Sequence, residues 1–355
     1  MTTRESRFLS VFQEFSKTVS QTLSVQQRLK LLAEGITDTL SVKGCTILLL
    51  DDDRKELKIA ASRGLSDTYL QKGVVDAGKS MGAALEGQVV VIGNAGSDPR
   101  VQYPQAAVKE GIVTIVSLPI IVREVIIGVL RLYCGEQRDF TSEEIDFAAA
   151  LAEQGGLAVE NAKLLEKIFA EVEYLKVMRE VAKALTSTLH TQEILDLIVK
   201  KAVEILNVKG CTLRIANPKT GSLGMVCSTG LSDEYLRKGT VGTQQSIAAT
   251  MTGEVVWIED ARQDPRTQYP KEAEKEGIAS ILSVPVILED KVIGAMRLYT
   301  SSPRRFNDSE IEFAQSLAEF GAIALENARL HRMVQKDYQA VIEDIQMFRG
   351  YTSSL

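Results

Sequence analysis

The sequence predicts an α+β protein built from two copies of one domain, each a mostly antiparallel sheet flanked by helices. The chain repeats itself without a gap at an offset of 166 residues, so that Val42 of the first copy corresponds to Val208 of the second. Two apolar runs rich in Val and Ile, 112–122 and 125–134, are separated only by Arg123-Glu124, the pattern of a β-hairpin. Helical segments precede and follow these strands. Because the period is so long, the repeated unit is a whole domain.

The elements of one copy follow in chain order. Residues 25–40 have helical periodicity, and strands at 45–50 and 57–61 surround a turn at 51–55, which becomes 217–221 in the second copy. Short helices at 65–71 and 81–85 precede a strand at 89–92, a polar stretch and the hairpin. Thr141 caps the next helix, and Glu144 completes a capping box. Glu289-Asp290 forms the hairpin turn of the second copy.

The composition excludes several classes of protein. The 355 residues, 45% hydrophobic and 25% charged, suit two globular domains with their own cores. The net charge of −6 argues against nucleic-acid binding, which needs a basic face. The four cysteines form no CxxC pair and are typical of reduced thiols in the cytoplasm. The N-terminus is too polar for a signal peptide, and the run 112–122 is too short to span a bilayer. We therefore predict a cytoplasmic protein without membrane contact.

Apolar stripes run along the helices outside the two domains. We divide the chain into an N-terminal amphipathic helix (1–24), a first domain (25–162), a connecting helix (163–190), a second domain (191–328) and a C-terminal signalling helix and tail (329–355). The connecting helix carries apolar residues three and four apart, as in a coiled-coil seam whose phase slips near Leu175. The stripes comprise Leu165, Ile168, Val172, Leu175, Met178, Ala182, Leu185 and Leu189, then Val334, Tyr338, Val341, Ile345 and Phe348, and at the N-terminus Phe8, Phe12, Phe15, Val19 and Leu23. These stripes either pack on their own sheets or join two chains. Because the stripe of the tail continues beyond the end of the second domain, we favour a parallel homodimer through the N-terminal, connecting and C-terminal helices.

Several short segments resemble a known family. They are Glu110-Gly111-Ile112, Ser117-Leu118-Pro119, Ile127-Gly128-Val129-Leu130, Phe140 and Ala158-Val159-Glu160-Asn161-Ala162, with matching segments in the second copy. By their order and spacing they are similar to the GAF domain of bacterial sensors, over nearly the whole of each repeat. The resemblance implies a sheet of about five or six strands with terminal helices bundled on one face. On the other face it implies a pocket, roofed by short helices and loops, for a small regulatory ligand.

Residues for catalysis or metal binding are missing from the sequence. The two histidines, His190 and His331, fall on the connecting helices, and there is no P-loop, GxSxG or HExxH motif. Metal and haem members of the family need internal His or Cys ligands, and bilin-binding members commonly have a cysteine followed by His. The residue set of the cyclic-nucleotide members cannot be placed either. We therefore expect no enzyme activity and no haem, bilin or metal, and leave the ligand unknown. A sulfoxide reductase would need paired reactive cysteines, which Cys134 and Cys227 do not provide.

Conserved positions of the two copies supply the first candidate ligand residues. Arg131 and Arg297 lie in otherwise apolar strands, where an unpaired charge is costly. Either an internal carboxylate pairs with them, which we favour, or they face the pocket and meet an anionic ligand. Tyr103 and Tyr269 follow Asp-Pro-Arg triplets in the loop expected near the pocket, and the Asp and Arg of each triplet are expected to pin that loop.

Positions that differ between the copies supply the other candidates. Val91, Asn94 and Gly96 of the first copy become Trp257, Asp260 and Arg262, which predicts a more aromatic and more polar wall in the second pocket. The alternative is that the sole tryptophan belongs to the core. We add Cys227 to the candidates of the second pocket.

Together these features predict a sensory protein. Ligand binding would reshape a pocket, shift helix packing behind the sheet and change the coiled-coil register passed to a separate effector. We expect a separate effector because the 355 residues contain no output domain, unless the chain is a sensory fragment. The alternative is a structural or adaptor dimerisation module whose pockets are filled by side chains and bind nothing.

Overall fold

The computed structural model describes residue 8 and residues 24–51, 56–73, 75–76, 81–187, 190–217, 222–239, 241–242 and 247–352. The chain divides into two compact units, Met1–Lys167 and Ile168–Leu355. The predicted N-terminal stripe lies outside the described residues except for Phe8, whose ring stacks on Phe147 with centroids 4.4 Å apart. Most of the turns predicted at 51–55 and 217–221, and the stripe residue Leu189, are also outside them.

The first unit contains the predicted elements in the predicted order, and in addition a short strand and a short helix. Its elements are α1 (Val25–Leu40), β1 (Gly44–Leu50), β2 (Glu56–Arg63), α2 (Asp67–Leu70), β3 (Val75–Asp76), α3 (Gly82–Leu85), β4 (Val90–Ile92), α4 (Pro104–Glu110), β5 (Thr114–Val122), β6 (Val125–Cys134) and the start of α5 (Ser142–Ser187). The short strand β3 and the short helix α4 are the two that the sequence did not predict. The capping box is confirmed, because the Glu144 amide donates to the Thr141 hydroxyl at 3.3 Å and the Thr141 amide donates to the Glu144 carboxylate at 3.1 Å.

The second unit repeats this order after the end of α5. Its elements are α6 (Thr191–Leu206), β7 (Gly210–Ala216), β8 (Ser222–Thr229), α7 (Asp233–Leu236), β9 (Val241–Gly242), α8 (Ala248–Met251), β10 (Val256–Ile258), α9 (Pro270–Glu276), β11 (Ile281–Leu288), β12 (Lys291–Tyr299) and α10 (Asp308–Thr352). The predicted α+β class and the long helix between the two domains are therefore confirmed.

The described residues of each unit form a six-stranded sheet in which the paired strands are antiparallel. The orders are β3-β2-β1-β6-β5-β4 and β10-β11-β12-β7-β8-β9, so the predicted hairpin lies inside the sheet. Val122 pairs with Val125 across a two-residue turn, where Arg123 and Glu124 have φ of 47° and 67°. Such left-handed turns match the right-handed twist of the flanking strands, which explains how the sequence closes the hairpin with so few residues.

The two faces of each sheet are covered differently. On the helix face of the first sheet, Leu130 and Leu132 pack with buried residues of α1 and α5, such as Leu32 and Leu151. The opposite face, which we call the short-helix face, carries Val129, Arg131 and Tyr133 in the first domain and Ala295, Arg297 and Tyr299 in the second. It is covered by the short helices, which contribute buried Tyr69, Ala84 and Ala107 in the first domain. Alternation of side chains along β6 and β12 assigns each residue to its face.

The apolar stripe of α5 divides into two parts. Leu165, Ile168, Val172 and Leu175 are exposed, with Leu175 at 69%. Met178 and Leu185, after the phase slip, pack against the core of the second domain. On α10, Val334 and Tyr338 are also exposed, whereas the side chains of Ile345 and Phe348 are outside the described set. In the part of the chain that the structure describes, no helix is both long enough and apolar enough to cross a membrane.

Candidate functional site

A buried arginine lies on the short-helix face of the first domain. Arg131, on β6, is 5% exposed, and its Nε donates to the Ser117 hydroxyl at 3.1 Å on the neighbouring strand. Its Nη2 has no hydrogen-bond partner, and no carboxylate of a described residue forms an ion pair with it. The favoured prediction of an internal carboxylate is therefore wrong for the described residues. The guanidinium instead lies on the face for which a pocket was expected.

The second domain repeats this arrangement. Arg297, on β12, is 7% exposed, and its Nε donates to the Ser283 hydroxyl at 3.1 Å. Among the described residues it too has no carboxylate partner, which again corrects the favoured prediction. Because a buried guanidinium without a counter-charge is costly, its retention in both copies needs an explanation.

A tyrosine ring lies beside each of the two arginines, with the Arg131 Cζ 5.9 Å from the Tyr133 centroid and the Arg297 Cζ 5.8 Å from the Tyr299 centroid. In the first domain the Thr46 and Tyr133 hydroxyls are 3.0 Å apart, and the Tyr69 and Tyr133 rings meet edge to face with centroids 5.8 Å apart. In the second domain Tyr235 and Tyr299 form the same edge-to-face pair at 5.9 Å. Burial raises the pKa of Tyr235, so its phenol stays protonated and available as a hydrogen-bond donor.

A lysine beside each tyrosine pair adds a second cation. The Lys72 Nζ lies 3.8 Å from the centroid of the Tyr69 ring and donates to the Tyr69 carbonyl at 3.1 Å. Burial, and then repulsion by Arg131, lower the pKa of Lys72 to about 8.

The equivalent lysine of the second domain is more strongly perturbed. The Lys238 Nζ lies 3.1 Å from the centroid of the Tyr235 ring and 5.9 Å from that of the Tyr269 ring. Burial, followed by Arg214 and Arg297, lowers the pKa of Lys238 to about 7, against the opposing influence of the carboxylates of Glu272 and Glu276. The Tyr235 ring under this ammonium packs on the Tyr299 ring, and the Arg297 Cζ lies 5.8 Å from the centroid of Tyr299.

Arg214 is the largest difference between the two short-helix faces. It stands on β7 where the first domain has Leu48, it is 5% exposed, and its Nη1 makes one long hydrogen bond, 3.4 Å, to the Leu223 carbonyl. Burial is the main cause that lowers the pKa of Arg214. No carboxylate of a described residue pairs with Arg214 either.

The apolar packing of this face differs accordingly. In the first domain Leu48 belongs to one continuous buried cluster with Val129 and Tyr133. In the second domain the described buried residues form two separate clusters, one around Tyr299 and one around Ala295. Arg214 and Thr250, which replace Leu48 and Ala84 of the continuous cluster, belong to neither of the two.

Tyr103 and Tyr269 lie close to the glycines that follow these lysines, Gly73 and Gly239. Each tyrosine hydroxyl approaches a glycine, and a Cβ built on Gly73 or Gly239 would be 2.6 Å or 2.5 Å from it. Gly73 and Gly239 have φ of 129° and 139°, a conformation that other residues rarely adopt. Glycine is thus required where the tyrosine closes over the loop.

Trp257 and Cys227 are placed away from this site. Trp257 pairs with Leu282, a residue of the helix face, and its Nε1 donates to the Arg304 carbonyl at 2.9 Å. Cys227 is buried in the same helix-face core, and burial raises its pKa to about 12. The prediction that both residues share a pocket with Arg297 is corrected, because they lie on the opposite face of the sheet. The alternative, that Trp257 belongs to the core, fits its position.

The other differing positions form surface loop structure. Arg262 donates through Nε and Nη2 to the two carboxylate oxygens of Asp260, both at 2.7 Å, and the two side chains are 43% and 27% exposed. The Asn94 side chain accepts from the Gly96 amide at 3.1 Å, as in an Asx turn. These contacts hold the loop and differ from the predicted polar pocket wall.

The Asp-Pro-Arg triplets pin their loop as predicted. In the first domain Asp98 accepts from the backbone amide and from the side chain of Arg100, and Arg100 also reaches the Val91 carbonyl at 3.4 Å. The hydrogen bond from Arg100 is the main cause that lowers the pKa of Asp98.

Sequence reasoning missed Arg214, Lys72 and Lys238. The lysines had a signal, since they recur at the repeat offset of 166 residues within Lys-Gly dipeptides. Arg214 had another, since a charge replaces Leu48 in an apolar strand. Among the described residues, no group of three or more His, Cys, Asp or Glu side chains could hold a metal ion.

Comparison with known proteins agrees with this architecture. A family model described as the GAF domain matches the chain twice, at residues 22–160 and 188–326. A comparison with curated proteins finds no match. Among solved structures, the GAF domain of a phosphoenolpyruvate-protein phosphotransferase from Coxiella burnetii is 20% identical, with 46% of this chain and 98% of that chain covered and a TM-score of 0.42. A bacteriophytochrome from R. palustris is 10% identical, with 90% of this chain and 75% of that chain covered and a TM-score of 0.61. The latter likeness shows the fold alone.

Proposed function

The chain belongs to the GAF domain family, and we propose that it is a non-catalytic, cytoplasmic sensory protein that binds a small ligand in one or both domains. GAF domains are sensory and regulatory modules of signalling proteins. A cytoplasmic location is supported by the four cysteines, all of which are free thiols and buried. The domain division at 25–162 and 191–328 is part of the proposal.

One observation carries the ligand-binding part of the proposal. In each domain an arginine that is more than nine-tenths buried, Arg131 or Arg297, lies on the short-helix face without a carboxylate partner among the described residues. Natural proteins rarely bury an unpaired charge without a functional reason. Tyr103 and Tyr269 flank the same face and complete the proposed sites.

Native mass spectrometry of the purified full chain tests ligand binding directly. We expect a mass increment from a bound small molecule, or binding of one in a metabolite screen read by thermal shift. A chain that carries nothing and binds nothing in the screen would contradict the proposal and favour a structural role.

The proposed output runs through dimeric helices to a separate partner protein. Support comes from the exposed apolar residues of α5 and α10, such as Leu175 and Tyr338, which are 69% and 67% exposed in the single chain. Sedimentation equilibrium at micromolar concentration should show a homodimer, and a monomer would contradict it. Crosslinking through cysteines placed at Leu165 and Leu175, both exposed on α5, with and without ligand, should give different patterns if register changes carry the signal.

The alternative function is an adaptor or dimerisation module without a ligand. For the first domain it is favoured by the continuous apolar cluster that includes Leu48, Met81 and Tyr133 on the short-helix face. The alternative predicts that neither domain changes its thermal stability in the metabolite screen, whereas the helices still dimerise.

A further inference from the structure

We propose that the second domain binds its small molecule through an anionic group, a phosphate or a carboxylate, which Arg214, Arg297 and Lys238 contact together. This inference rests on the proposed sensory function, and it names the chemistry of the ligand and the domain that takes it. The first domain, which lacks the equivalent of Arg214, is not expected to bind the same group as tightly.

The sheet register brings the two arginines together. Arg214 lies opposite Ala295, and Arg297 lies opposite Thr212, on the adjacent antiparallel strands β7 and β12. Such diagonal neighbours on one face have Cα atoms about 7–8 Å apart, which long side chains bridge easily. Both are more than nine-tenths buried. Two guanidinium groups are therefore held under the short helices of the second domain.

Lys238 supplies the third cation from the covering layer. It follows α7, whose Tyr235 ring packs edge to face on Tyr299 with centroids 5.9 Å apart. Its Nζ donates to the Tyr235 carbonyl at 3.2 Å and lies 3.1 Å from the centroid of the Tyr235 ring, and burial, followed by the charges of Arg214 and Arg297, lowers its pKa. The Arg297 Cζ lies 5.8 Å from the centroid of the Tyr299 ring, so the Tyr235–Tyr299 pair connects Lys238 in the covering layer with Arg297 on the sheet.

No described acidic group neutralises this cluster by direct contact. With the described residues, Arg214 makes one hydrogen bond, to the Leu223 carbonyl, and Arg297 makes one, to the Ser283 hydroxyl, which leaves most N–H groups of each guanidinium without a partner there. The Thr250 hydroxyl, on α8 against the same sheet, is also fully buried and has no hydrogen-bond partner. An oxyanion would satisfy these donors and remove the repulsion between the cations.

The first domain provides an internal comparison. Leu48 and Ala84 stand where the second domain has Arg214 and Thr250, and Leu48 joins a continuous apolar cluster. The second domain also has the smaller Ala295 where the first has Val129. Between two copies of one fold, these exchanges add charge and hydrogen-bond donors and remove side-chain volume at one place. That is the change expected when a packed face becomes an anion site.

Isothermal titration calorimetry on the full chain tests the proposal with sodium sulfate, sodium phosphate and sodium succinate as probes, at ionic strength balanced with sodium chloride. We expect at least one probe to bind at millimolar concentration or below. Arg214→Leu, which copies the first domain, and Lys238→Gln should each weaken binding by at least about tenfold. Arg262→Gln removes the same charge from an exposed arginine of this domain and should leave the affinity unchanged. Stronger binding of phosphate than of succinate would identify a phosphate ligand, and the reverse a carboxylate.

Several outcomes would overturn the proposal. They are the absence of binding by all three probes, or an equal loss in Arg214→Leu and Arg262→Gln, which would indicate an adventitious ion only. Native mass spectrometry of the same samples separates this failure from that of the sensory proposal. A small molecule that remains bound to Arg214→Leu and Lys238→Gln as to the wild type would refute the anion site and keep the sensor. A chain without any bound molecule and without anion binding would refute both.

Discussion

Replacing Arg214 with leucine should stabilise the second domain. The guanidinium is 5% exposed, has no carboxylate partner among the described residues and makes one long hydrogen bond, 3.4 Å, to the Leu223 carbonyl. Leu48 shows that the same position of the fold accepts leucine, at 2% exposed, in a continuous apolar cluster. The substitution therefore removes a buried, uncompensated charge and introduces a side chain that packs well at the equivalent position of the first domain.

The size of the effect follows from these contacts. The lost hydrogen bond is worth about 0.5–1.5 kcal/mol. Burial of the leucine side chain returns about 1.5–3 kcal/mol, and relief of the charge adds to it. We expect a net gain of about 1–3 kcal/mol in the free energy of unfolding. For a unit of this size, that gain raises the melting temperature by roughly 3–9 °C.

The assay is urea unfolding of the full chain followed by tryptophan fluorescence. Trp257 is the sole tryptophan and lies in the second domain, so its signal reports on that domain. The buffer must contain no sulfate or phosphate, because a bound anion would stabilise the wild type by mass action. The matched exposed change, Arg262→Leu, should shift stability by no more than about 0.5 kcal/mol. A loss of about 1 kcal/mol or more in Arg214→Leu would refute the reasoning, since it would mean that Arg214 has a stabilising partner.

Three further predictions concern other parts of the molecule. Sulfate, which keeps its charge near neutral pH, should bind more weakly as the pH rises from about 6 to about 9. The reason is that Lys238, with its pKa lowered to about 7, loses its positive charge over that range. In Lys238→Gln the affinity for sulfate should not change with pH. Gly239→Ala should lower the free energy of unfolding by roughly 1–3 kcal/mol in the same urea assay. The reason is that residue 239 has a φ of 139° and that the added Cβ would lie 2.5 Å from the Tyr269 hydroxyl. An unchanged unfolding midpoint would show that the tyrosine moves aside freely. Leu175→Lys, at a side chain that is 69% exposed, should dissociate the proposed dimer in sedimentation equilibrium without lowering the melting temperature. Glu171→Lys on the same helix is its control. Equal dimerisation of both variants would argue against a dimer contact at Leu175.

Local signals in the sequence predicted most of the fold. The two-residue turn Arg123-Glu124 and the capping box of Thr141 and Glu144 depend on residues close together in the chain, and the structure contains both. The same holds for the pinned loop at Asp98 and Arg100. Interactions between near neighbours can be read from residue types and spacing, because backbone geometry leaves few alternatives.

The candidate site was predicted less well, because it depends on pairing between distant strands. Trp257 stands beside residues that differ between the copies, which suggested a pocket wall. Its pairing with Leu282 places it on the helix face, and a shift of one residue in that register would reverse the result. For Arg297 the sequence correctly identified an unusual charge in an apolar strand. The sequence did not show that the described residues leave it without a carboxylate.

The sequence by itself determined the duplication, the fold class and the positions where the copies differ, since these follow from periodicity and comparison within one chain. Only the tertiary structure decided which of those differing residues lie on the same face of the sheet. Arg214 and Arg297 are diagonal neighbours on one face because β7 pairs with β12, and Lys238 lies in the layer over that face because Tyr235 of α7 packs on Tyr299. Side-chain direction alternates along a strand, so the face that a residue occupies is fixed by long-range pairing and not by local pattern.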